Sequence, residues 1–198
     1  MNYHFAFDLE STVTRCELLP LLAREAGCEA EMRARTERAM RGEVDFAADF
    51  AERVAMLADL PLSRVREIAA DVPVHQGIAG FLKRYRDRCT ILTGNLDIWI
   101  EPLIERLGMT GRCRCSRGQI ANGKTRLVST LNKAEAARTL PRPLIAIGDG
   151  SNDVGMLCAA DFAVAFGGAR TPCRALLDAA DIAVYSEEEL LRELFCRV

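Results

Sequence analysis

Short apolar runs that alternate with helical segments constrain the fold of this chain more than any other feature. Between the later runs, apolar residues recur with the spacing of helices, as in residues 98–107 and 152–159. Strands that alternate with helices form a parallel, doubly wound α/β sheet, because their crossover connections are right-handed. The apolar runs that we predict to be strands are residues 3–8, 90–92, 144–147, 162–166 and 182–185.

A long helical stretch follows the first predicted strand. From Glu17 to about Arg88, apolar residues recur three and four positions apart, and Gly27, Gly42 and Pro61 divide the stretch into short helices. A block of about 65 residues is too small to hold a large core of its own. We therefore expect an insertion that covers the sheet, with residues 1–14 and 77–198 forming the core domain and residues 15–76 forming a small helical cap.

Acids, hydroxyls and glycines follow three of the predicted strands. Asp8 and Glu10 follow the first strand, Thr93 and Gly94 the second, and residues 148–153 the third. Because ligands of parallel sheets bind at the carboxyl ends of the strands, we expect these groups to form one site. Carboxylates gathered there would repel one another unless a cation joined them, and oxygen ligands without Cys or His favour Mg²⁺. A metal-bound carboxylate without an activated Ser, Cys or His indicates an aspartyl-phosphate intermediate.

Composition and charge argue against several other classes of protein. The chain has 26 Lys and Arg against 28 Asp and Glu, a net charge of −2 that disfavours nucleic acid or an anionic membrane as a partner. No apolar run reaches the ~18 residues of a membrane span, and no signal-peptide pattern is visible, so we expect a cytoplasmic protein. The eight cysteines lack zinc-ribbon spacing, and the two histidines, His4 and His75, do not suit a zinc hydrolase or a His-based triad.

The segments at the strand ends resemble the four motifs of the haloacid dehalogenase (HAD) superfamily of phosphatases. The resemblance implies that Asp8 is the nucleophile and that Glu10 is the general acid and base. It also implies that Thr93 and Lys133 hold the transferring phosphoryl group. The residues that carry the resemblance are Asp8-Leu9-Glu10-Ser11-Thr12, Ile91-Leu92-Thr93-Gly94, Lys133 and Gly148-Asp149-Gly150-Ser151-Asn152-Asp153.

The same resemblance implies a set of metal ligands and further substrate contacts. Mg²⁺ would be bound by Asp8, by the backbone carbonyl of Glu10 and by Asp149, with Asp153 in or near the surrounding layer of contacts. Substrate would also touch Gly94, Asn152 and the phosphoryl-holding pair Thr93 and Lys133.

The helical stretch is similar to the cap of phosphoserine phosphatases. Glu17, Met40, Phe46 and Arg53 have the spacing of four cap residues in that family. The resemblance implies that Glu17 meets the substrate ammonium, that Arg53 meets its carboxylate, and that Met40 and Phe46 shield the site from water. An acid and an arginine around an anionic phosphate site suit an amino-acid phosphate. Taken singly, Met40 and Phe46 also fit a core position, and Arg53 fits a solvated helix face.

Two departures from the family pattern leave alternative functions open. Glu10 stands where most HAD phosphatases have Asp, so its carboxyl reaches about one bond further, and Thr93 stands where Ser is more usual. The favoured function is a phosphoserine phosphatase that acts on a small phosphorylated metabolite. The alternatives are a phosphotransferase, such as a phosphoserine:homoserine enzyme, a phosphatase for other small metabolites, and a non-catalytic binding protein.

Residues Gly118–Thr125 match the P-loop pattern G-x-x-x-x-G-K-T. A P-loop requires an apolar strand before it and a helix that begins at its lysine. Residues 112–117, which precede the pattern, are too charged for a buried parallel strand, and Asn122-Gly123 is typical of a hairpin turn. We therefore expect a hairpin here, and we do not favour a P-loop NTPase.

Overall fold

The computed structural model describes residues 3–198 and contains one seven-stranded sheet. The strands are β1 (His4–Phe7), β2 (Cys89–Leu96), β3 (Cys113–Ala121), β4 (Lys124–Ser129), β5 (Leu144–Gly148), β6 (Phe162–Phe166) and β7 (Ile182–Val184). The helices are α1 (Leu18–Glu25), α2 (Glu29–Met40), α3 (Phe46–Met56), α4 (Leu62–Asp71), α5 (Gln76–Arg84), α6 (Asp97–Arg106), α7 (Lys133–Arg138), α8 (Val154–Cys158), α9 (Arg174–Ala179) and α10 (Glu187–Phe195).

The sheet has the order β4-β3-β2-β1-β5-β6-β7, and every neighbouring pair is parallel except β3 and β4. Strand β1 lies between β2 and β5. From this centre, β2 to β4 extend the sheet in one direction and β5 to β7 extend it in the other. This arrangement confirms the predicted α/β class, because the chain crosses between parallel strands through helices. The centre of such a sheet is also where the carboxyl ends of its strands open a crevice for a ligand.

Hydrophobic packing on both faces explains why the central strands read as continuous apolar runs. Side chains alternate along β1, so that Phe5 and Phe7 enter one hydrophobic cluster whereas Ala6 enters the other. All residues of β1 and β5 are buried, as expected for parallel strands covered on both faces. The sheet therefore fixes the positions of the residues that follow these strands.

Helices α1 to α4 lie between β1 and α5 in the chain and pack over the sheet. Leu22, Phe50 and Val65 of these helices belong to the same hydrophobic cluster as Phe5 of β1 and Trp99 of α6. This shared cluster agrees with the expectation that the helical stretch lacks a large core of its own. Among the described residues, no helix is long and apolar enough to cross a membrane.

The region around the P-loop pattern corrects one prediction and confirms another. Strand β3 runs parallel to β2, with Ile91 paired to Cys113 and Thr93 to Cys115, so a parallel strand precedes the pattern that the sequence analysis did not predict, although it is not a buried one. A charged sequence fits here because many β3 side chains are exposed. The turn prediction was right: Asn122 and Gly123 have φ values of 53° and 75° and connect β3 to the antiparallel β4. Lys124 begins a strand, whereas a P-loop lysine would begin a helix.

Candidate active site

Three neighbouring strands of the sheet deliver polar residues to one point. Asp8 directly follows β1, Asp149 directly follows β5, and Thr93 lies near the end of β2. The register pairs Phe7 with both Ile91 and Ile147, so the three strands reach this edge side by side. All three polar side chains are buried. The structure thus brings together the strand-end residues that the sequence predicted to share a site.

The carboxylates at this edge form a compact cluster. Asp8, Asp149 and Asp153 each offer one oxygen, and these oxygens lie within 4.8 Å of one another. Lys133, the first residue of α7, donates hydrogen bonds to Oδ1 of Asp8 and, at 2.6 Å, to Oδ1 of Asp153. Lys133 and Arg170, whose Nε lies 2.8 Å from Oδ2 of Asp149, supply two positive charges against three buried carboxylates, so the cluster retains an excess of negative charge.

This excess charge changes the protonation of the cluster. Burial raises the pKa of Asp8 well above its usual value, and Asp153 adds to the rise while Lys133 opposes it. Burial also raises the pKa of Asp149, with further contributions from Asp8 and Glu17. For Lys133, burial lowers the pKa, but Asp153 and Asp8 outweigh it and raise the pKa above its usual value. A divalent cation would reverse the shifts of the acids, because it favours their ionised forms.

The cluster suits a hard cation in its chemistry and its size. Its donors are carboxylate oxygens alone, and Mg²⁺ prefers oxygen ligands at about 2.0–2.1 Å, which places opposed ligands about 4 Å apart. Oδ2 of Asp149 is buried and lies 2.8 Å from Nε of Arg170, but this contact lacks the geometry of a hydrogen bond. The oxygen therefore keeps the capacity to act as a ligand for a cation.

Asp153 organises the loop beneath the cluster. Its Oδ2 accepts hydrogen bonds from the backbone N–H groups of Asp149 and Gly150, both at 3.1 Å, while its Oδ1 accepts from Lys133. A Cβ atom at Gly148 would lie 2.5 Å from the Asp153 side chain, so this close packing requires glycine. Asp153 thereby fixes the direction of the neighbouring Asp149.

Glu10 lies in the wall of the chamber above the cluster. Its Oε1 accepts a hydrogen bond from the backbone N–H of Leu18 at 2.7 Å, which ties it to the start of α1. Removal from water and the nearby Glu17 raise the pKa of Glu10 to about 7, although the hydrogen bond from Leu18 lowers it. A carboxyl with a pKa near neutrality can both give and take a proton at physiological pH.

Two side chains of the helical stretch close the chamber against two glycines of the sheet edge. A Cβ atom at Gly94 would lie 2.7 Å from the ring of Phe46, and one at Gly150 would lie 2.7 Å from Sδ of Met40. The absence of side chains at both glycines therefore lets Phe46 and Met40 cover this edge of the sheet. The cavity left beneath these two side chains has a volume of about 10 Å³, which is room for about one water molecule.

Arg53 of α3 reaches the chamber from the side of the helical stretch. Its side chain is 3% exposed and lies 2.7 Å from Oδ2 of Asp49. Its guanidinium carbon lies 5.7 Å and 5.6 Å from the ring centres of Phe46 and Phe50, distances at which cation–π attraction acts. Arg53 is thus held in the wall rather than on a solvated helix face.

Glu17 meets a basic residue that the sequence analysis did not identify. Arg170, in the loop after β6, donates a hydrogen bond to Oε1 of Glu17 and lies 2.8 Å from Oδ2 of Asp149. Ser11 Oγ also donates to Oε1 of Glu17, at 2.9 Å. Arg170 lies outside the motifs, and no local pattern marks it, so its role appears only in the folded chain.

All residues predicted for the site line one chamber or lie in its floor. Lys133 and Asp153 lie in the floor, and Phe50 is a further lining residue that the sequence analysis did not single out. Thr93 accepts a hydrogen bond at Oγ1 from the backbone N–H of Asn95, at 3.1 Å, which orients its hydroxyl. The residues that line the chamber are Asp8, Glu10, Glu17, Met40, Phe46, Phe50, Arg53, Thr93, Gly94, Asp149 and Asn152.

Comparison with known proteins gives the same family as the sequence motifs. Residues 5–158 match the model of the haloacid dehalogenase-like hydrolases. The chain is 33% identical to a phosphoserine phosphatase of Mycobacterium tuberculosis over 189 residues, which cover 87% of this chain and 46% of that protein. It is 31% identical to a phosphoserine phosphatase of Halobacterium salinarum over 175 residues, which cover 80% of this chain and 83% of that protein. The chain thus spans about half the length of the first relative and most of the second.

Solved structures resemble the whole chain. One, described as a phospho-aspartyl intermediate analogue of phosphoserine phosphatase, has a TM-score of 0.83 and 26% identity, and covers 98% of this chain and 99% of its own. Another, described as a substrate-bound phosphoserine phosphatase complex, has a TM-score of 0.82 and 26% identity, and covers 98% of each chain. With its sheet, its strand-end acids and these matches taken together, the chain belongs to the haloacid dehalogenase-like hydrolase family.

Proposed function

We propose that the chain is a Mg²⁺-dependent phosphomonoester hydrolase and that its substrate is phosphoserine, which it converts to serine and phosphate. The observation that carries this proposal is the buried cluster of Asp8, Asp149 and Asp153 around Lys133, beneath a chamber that Glu17 and Arg53 also line. The likeness to phosphoserine phosphatases in sequence and in whole-chain structure supports the choice of substrate.

The metal would be held by Asp8, Asp149 and the backbone carbonyl of Glu10. When bound, Mg²⁺ neutralises charge on the phosphoryl oxygens and on the carboxylates that face them. Asp153 keeps Asp149 in place through the loop N–H groups that it binds. These roles agree with the donor set, which consists of oxygen atoms alone.

Asp8 and Glu10 would carry the two chemical steps. A carboxylate oxygen of Asp8 attacks phosphorus, the bond from phosphorus to the serine oxygen breaks, and Glu10 gives its proton to that oxygen. Glu10 then takes a proton from water as the water attacks phosphorus, and the bond to Asp8 breaks to release phosphate. The pKa of about 7 suits Glu10 to both proton transfers.

Thr93 and Lys133 would hold the phosphoryl oxygens, and Gly94 and Asn152 would border them. Oδ1 of Asn152 is buried and accepts no hydrogen bond from the described residues, so it can accept one from a ligand. Glu17 would meet the substrate ammonium and Arg53 its carboxylate, while Met40 and Phe46 exclude water. This set gives a zwitterionic alcohol a partner for each of its charges.

Residues 15–76 would act as a movable cap over a core formed by residues 1–14 and 77–198. The present chamber has room for about one water, which is too little for an amino-acid phosphate. Met40 and Phe46 close it from the helical stretch, so substrate entry requires that these residues withdraw. Opening and closing of such a cap would also keep bulk water out during the reaction.

A phosphate-release screen tests the proposed function. Phosphoserine, phosphoethanolamine, phosphoglycolate and a sugar phosphate are each offered with Mg²⁺, and again with excess chelator. We expect the highest kcat/KM for phosphoserine and no release in chelator. Release from no ester would contradict the proposal, and a higher kcat/KM for another ester would correct the substrate.

Addition of an acceptor alcohol separates hydrolysis from phosphoryl transfer. With homoserine present, a hydrolase still releases one phosphate for each serine formed. Formation of phosphohomoserine with a matching loss of free phosphate would instead assign the chain to the phosphotransferases.

A further inference from the structure

The nitrogen atoms of the Arg53 guanidinium differ in their contacts, and one of them lacks a partner in the chamber wall. Its Nε lies 2.7 Å from Oδ2 of Asp49, and its Nη1 donates to Oγ1 of Thr36 at 3.5 Å. Within the part of the chain that the structure describes, neither Nε nor Nη2 has hydrogen-bond geometry to a partner, and Nη2 is buried. A buried N–H donor without an acceptor is costly, so a ligand that supplies an oxygen to Nη2 is favoured.

Asp49 is the counterion that makes this buried arginine possible. It lies four residues before Arg53 on α3, so both side chains share one helix face, and its own side chain is only 9% exposed. A buried arginine without a counterion would strongly destabilise the fold. Asp49 therefore balances the charge of Arg53 from within the chain, as a bound substrate carboxylate would do.

Asp49 also connects the chamber to the outer face of the helical stretch. Its Oδ1 lies 3.5 Å from Nη1 of Arg35, and the same nitrogen lies 2.6 Å from Oε2 of Glu52. Arg35 and Glu52 are partly exposed, with 31% and 65% of their side chains open to solvent. Solvent screens this outer contact, so Arg35 offsets the charge that Asp49 presents to the chamber less than its distance suggests.

A substrate carboxylate that enters the chamber thus meets Arg53 when the charge of Arg53 is already balanced by Asp49. An incoming carboxylate gains the hydrogen bond of Nη2 but meets the negative charge of Asp49 across the same guanidinium. Like charges a few ångströms apart in a poorly solvated wall repel strongly. An ester without a carboxylate avoids this repulsion.

We propose that Asp49 is a specificity-determining residue, which weakens the binding of phosphate esters that carry a carboxylate relative to those that lack one. This inference rests on the proposed function and deepens it, because it concerns the substrate class of the same site. Asp49 acts through Arg53 and does not take part in the chemical steps.

The test compares two esters that differ by one carboxylate. Phosphoserine and phosphoethanolamine share the phosphate and the ammonium, and only phosphoserine has the carboxylate. In Asp49→Asn, which keeps the shape of the side chain and removes its charge, we expect KM for phosphoserine to fall about tenfold. KM for phosphoethanolamine should move far less, and kcat for phosphoserine should not fall.

Glu52→Gln is the matched control. Glu52 lies on the same helix and pairs with the same Arg35, but its side chain is 65% exposed and does not line the chamber. We expect this variant to leave the ratio of the two KM values as it is in the unaltered enzyme. A change of that ratio equal to the change in Asp49→Asn would overturn the assignment to Asp49.

The other outcomes are also decisive. A rise in KM for phosphoserine alone would show that Asp49 orients Arg53 for the substrate, and an unchanged ratio would show that it has no effect; both overturn the inference but not the proposed function. Asp49→Ser, which leaves room for a water beside Arg53, repeats the test if Asp49→Asn fails to fold. Failure of both variants to fold would assign Asp49 to folding alone. No phosphate release from either ester by the unaltered enzyme would overturn the proposed function, and this inference with it.

Discussion

The floor of the chamber consists of Asp8, Asp149, Asp153 and Lys133, and we use the word roof for the side chains that the helical stretch contributes above it. The two parts are held in place in different ways. In the floor, Asp8 and Asp149 directly follow buried parallel strands, and Asp153 is fixed by backbone N–H groups. In the roof, Arg53 and Glu17 are long side chains that are fixed mainly by other side chains, Asp49 and Arg170. Backbone positions in a packed sheet tolerate little displacement, whereas side-chain ion pairs can exchange partners. We therefore expect the floor to determine whether reaction occurs and the roof to determine which ester reacts.

The largest effect that tests this comparison is expected at Lys133. Because Lys133 is the basic residue that contacts Asp8 and Asp153, Lys133→Ala should lower kcat/KM for every ester by at least about 10²-fold. Steady-state kinetics with phosphoserine measures this loss. Lys124→Ala is the control, since Lys124 belongs to the false P-loop pattern and pairs with the exposed Asp59. Loss of activity in Lys124→Ala with retention in Lys133→Ala would reverse our assignment of the two lysines.

A comparable but smaller effect on turnover is expected at Glu10. Glu10→Gln removes the proton donor and acceptor and should lower kcat by about 10²-fold or more, the usual contribution of a general acid and base. KM should change much less, because Glu10 acts on the leaving oxygen and on water. Glu10→Asp retains an acid, with a carboxyl about one bond closer to the backbone, and should keep much of the activity. Equal losses in both variants would indicate that Glu10 has a structural role.

The floor should also make the metal-free protein sensitive to pH. Asp8 and Asp149 in the floor, and Glu10 in the wall above them, have raised pKa values in the folded state, about 7 for Glu10, so the folded chain binds more protons than the unfolded chain. Their stabilising protonation is present at low pH and is lost as pH rises through about 7. His4 and His75, with lowered pKa values, act in the opposite direction only below about 6.5.

Thermal denaturation in chelator should therefore give a lower Tm at about pH 8 than at about pH 6.5. Mg²⁺ should raise Tm more at the higher pH, because ionised carboxylates bind the ion. Glu10→Gln should reduce the pH dependence in chelator. A Tm that rises with pH in metal-free protein would contradict the excess of buried acids.

The smallest effect is expected at Arg170, which contacts Asp149 in the floor and Glu17 in the roof. Arg170→Gln removes a positive charge beside Asp149 and Glu17, so KM should rise by a few-fold for phosphoserine and phosphoethanolamine alike. A shift common to both esters would distinguish this residue from Asp49. Arg174→Gln, at an arginine with an 87% exposed side chain, is the control. A fall in KM in Arg170→Gln would show that Arg170 competes with the substrate for Glu17.

The floor could be predicted from the sequence better than the roof. Asp8, Thr93 and Asp149 follow apolar runs, and the ends of parallel strands converge whatever the details of packing. The pair Asp49 and Arg53 has the four-residue helical spacing of an ion pair, but spacing does not reveal that both side chains are buried. Arg170 meets Glu17 only through the fold, across more than 150 residues.

Strand β3 was missed for a related reason. Exposed polar side chains such as Arg114 and Arg117 lie between partly buried ones, so β3 contains no apolar run that would mark it as a strand. Its parallel pairing depends on the neighbouring β2. The turn at Asn122 and Gly123 was predictable because its positive φ values require such residues. The sequence thus predicted residues that a local backbone conformation requires, but it did not predict contacts between residues that are distant in the sequence.

The most direct test of the account is the detection of a phosphoryl group on Asp8. After incubation with phosphoserine and Mg²⁺, the enzyme is quenched in acid, and its N-terminal peptide is analysed by mass spectrometry. We expect a fraction of the peptide to carry one phosphoryl group on Asp8, and we expect neither this adduct nor phosphate release in Asp8→Asn. Full turnover in Asp8→Asn, or a phosphoryl group on a residue other than Asp8, would contradict the account.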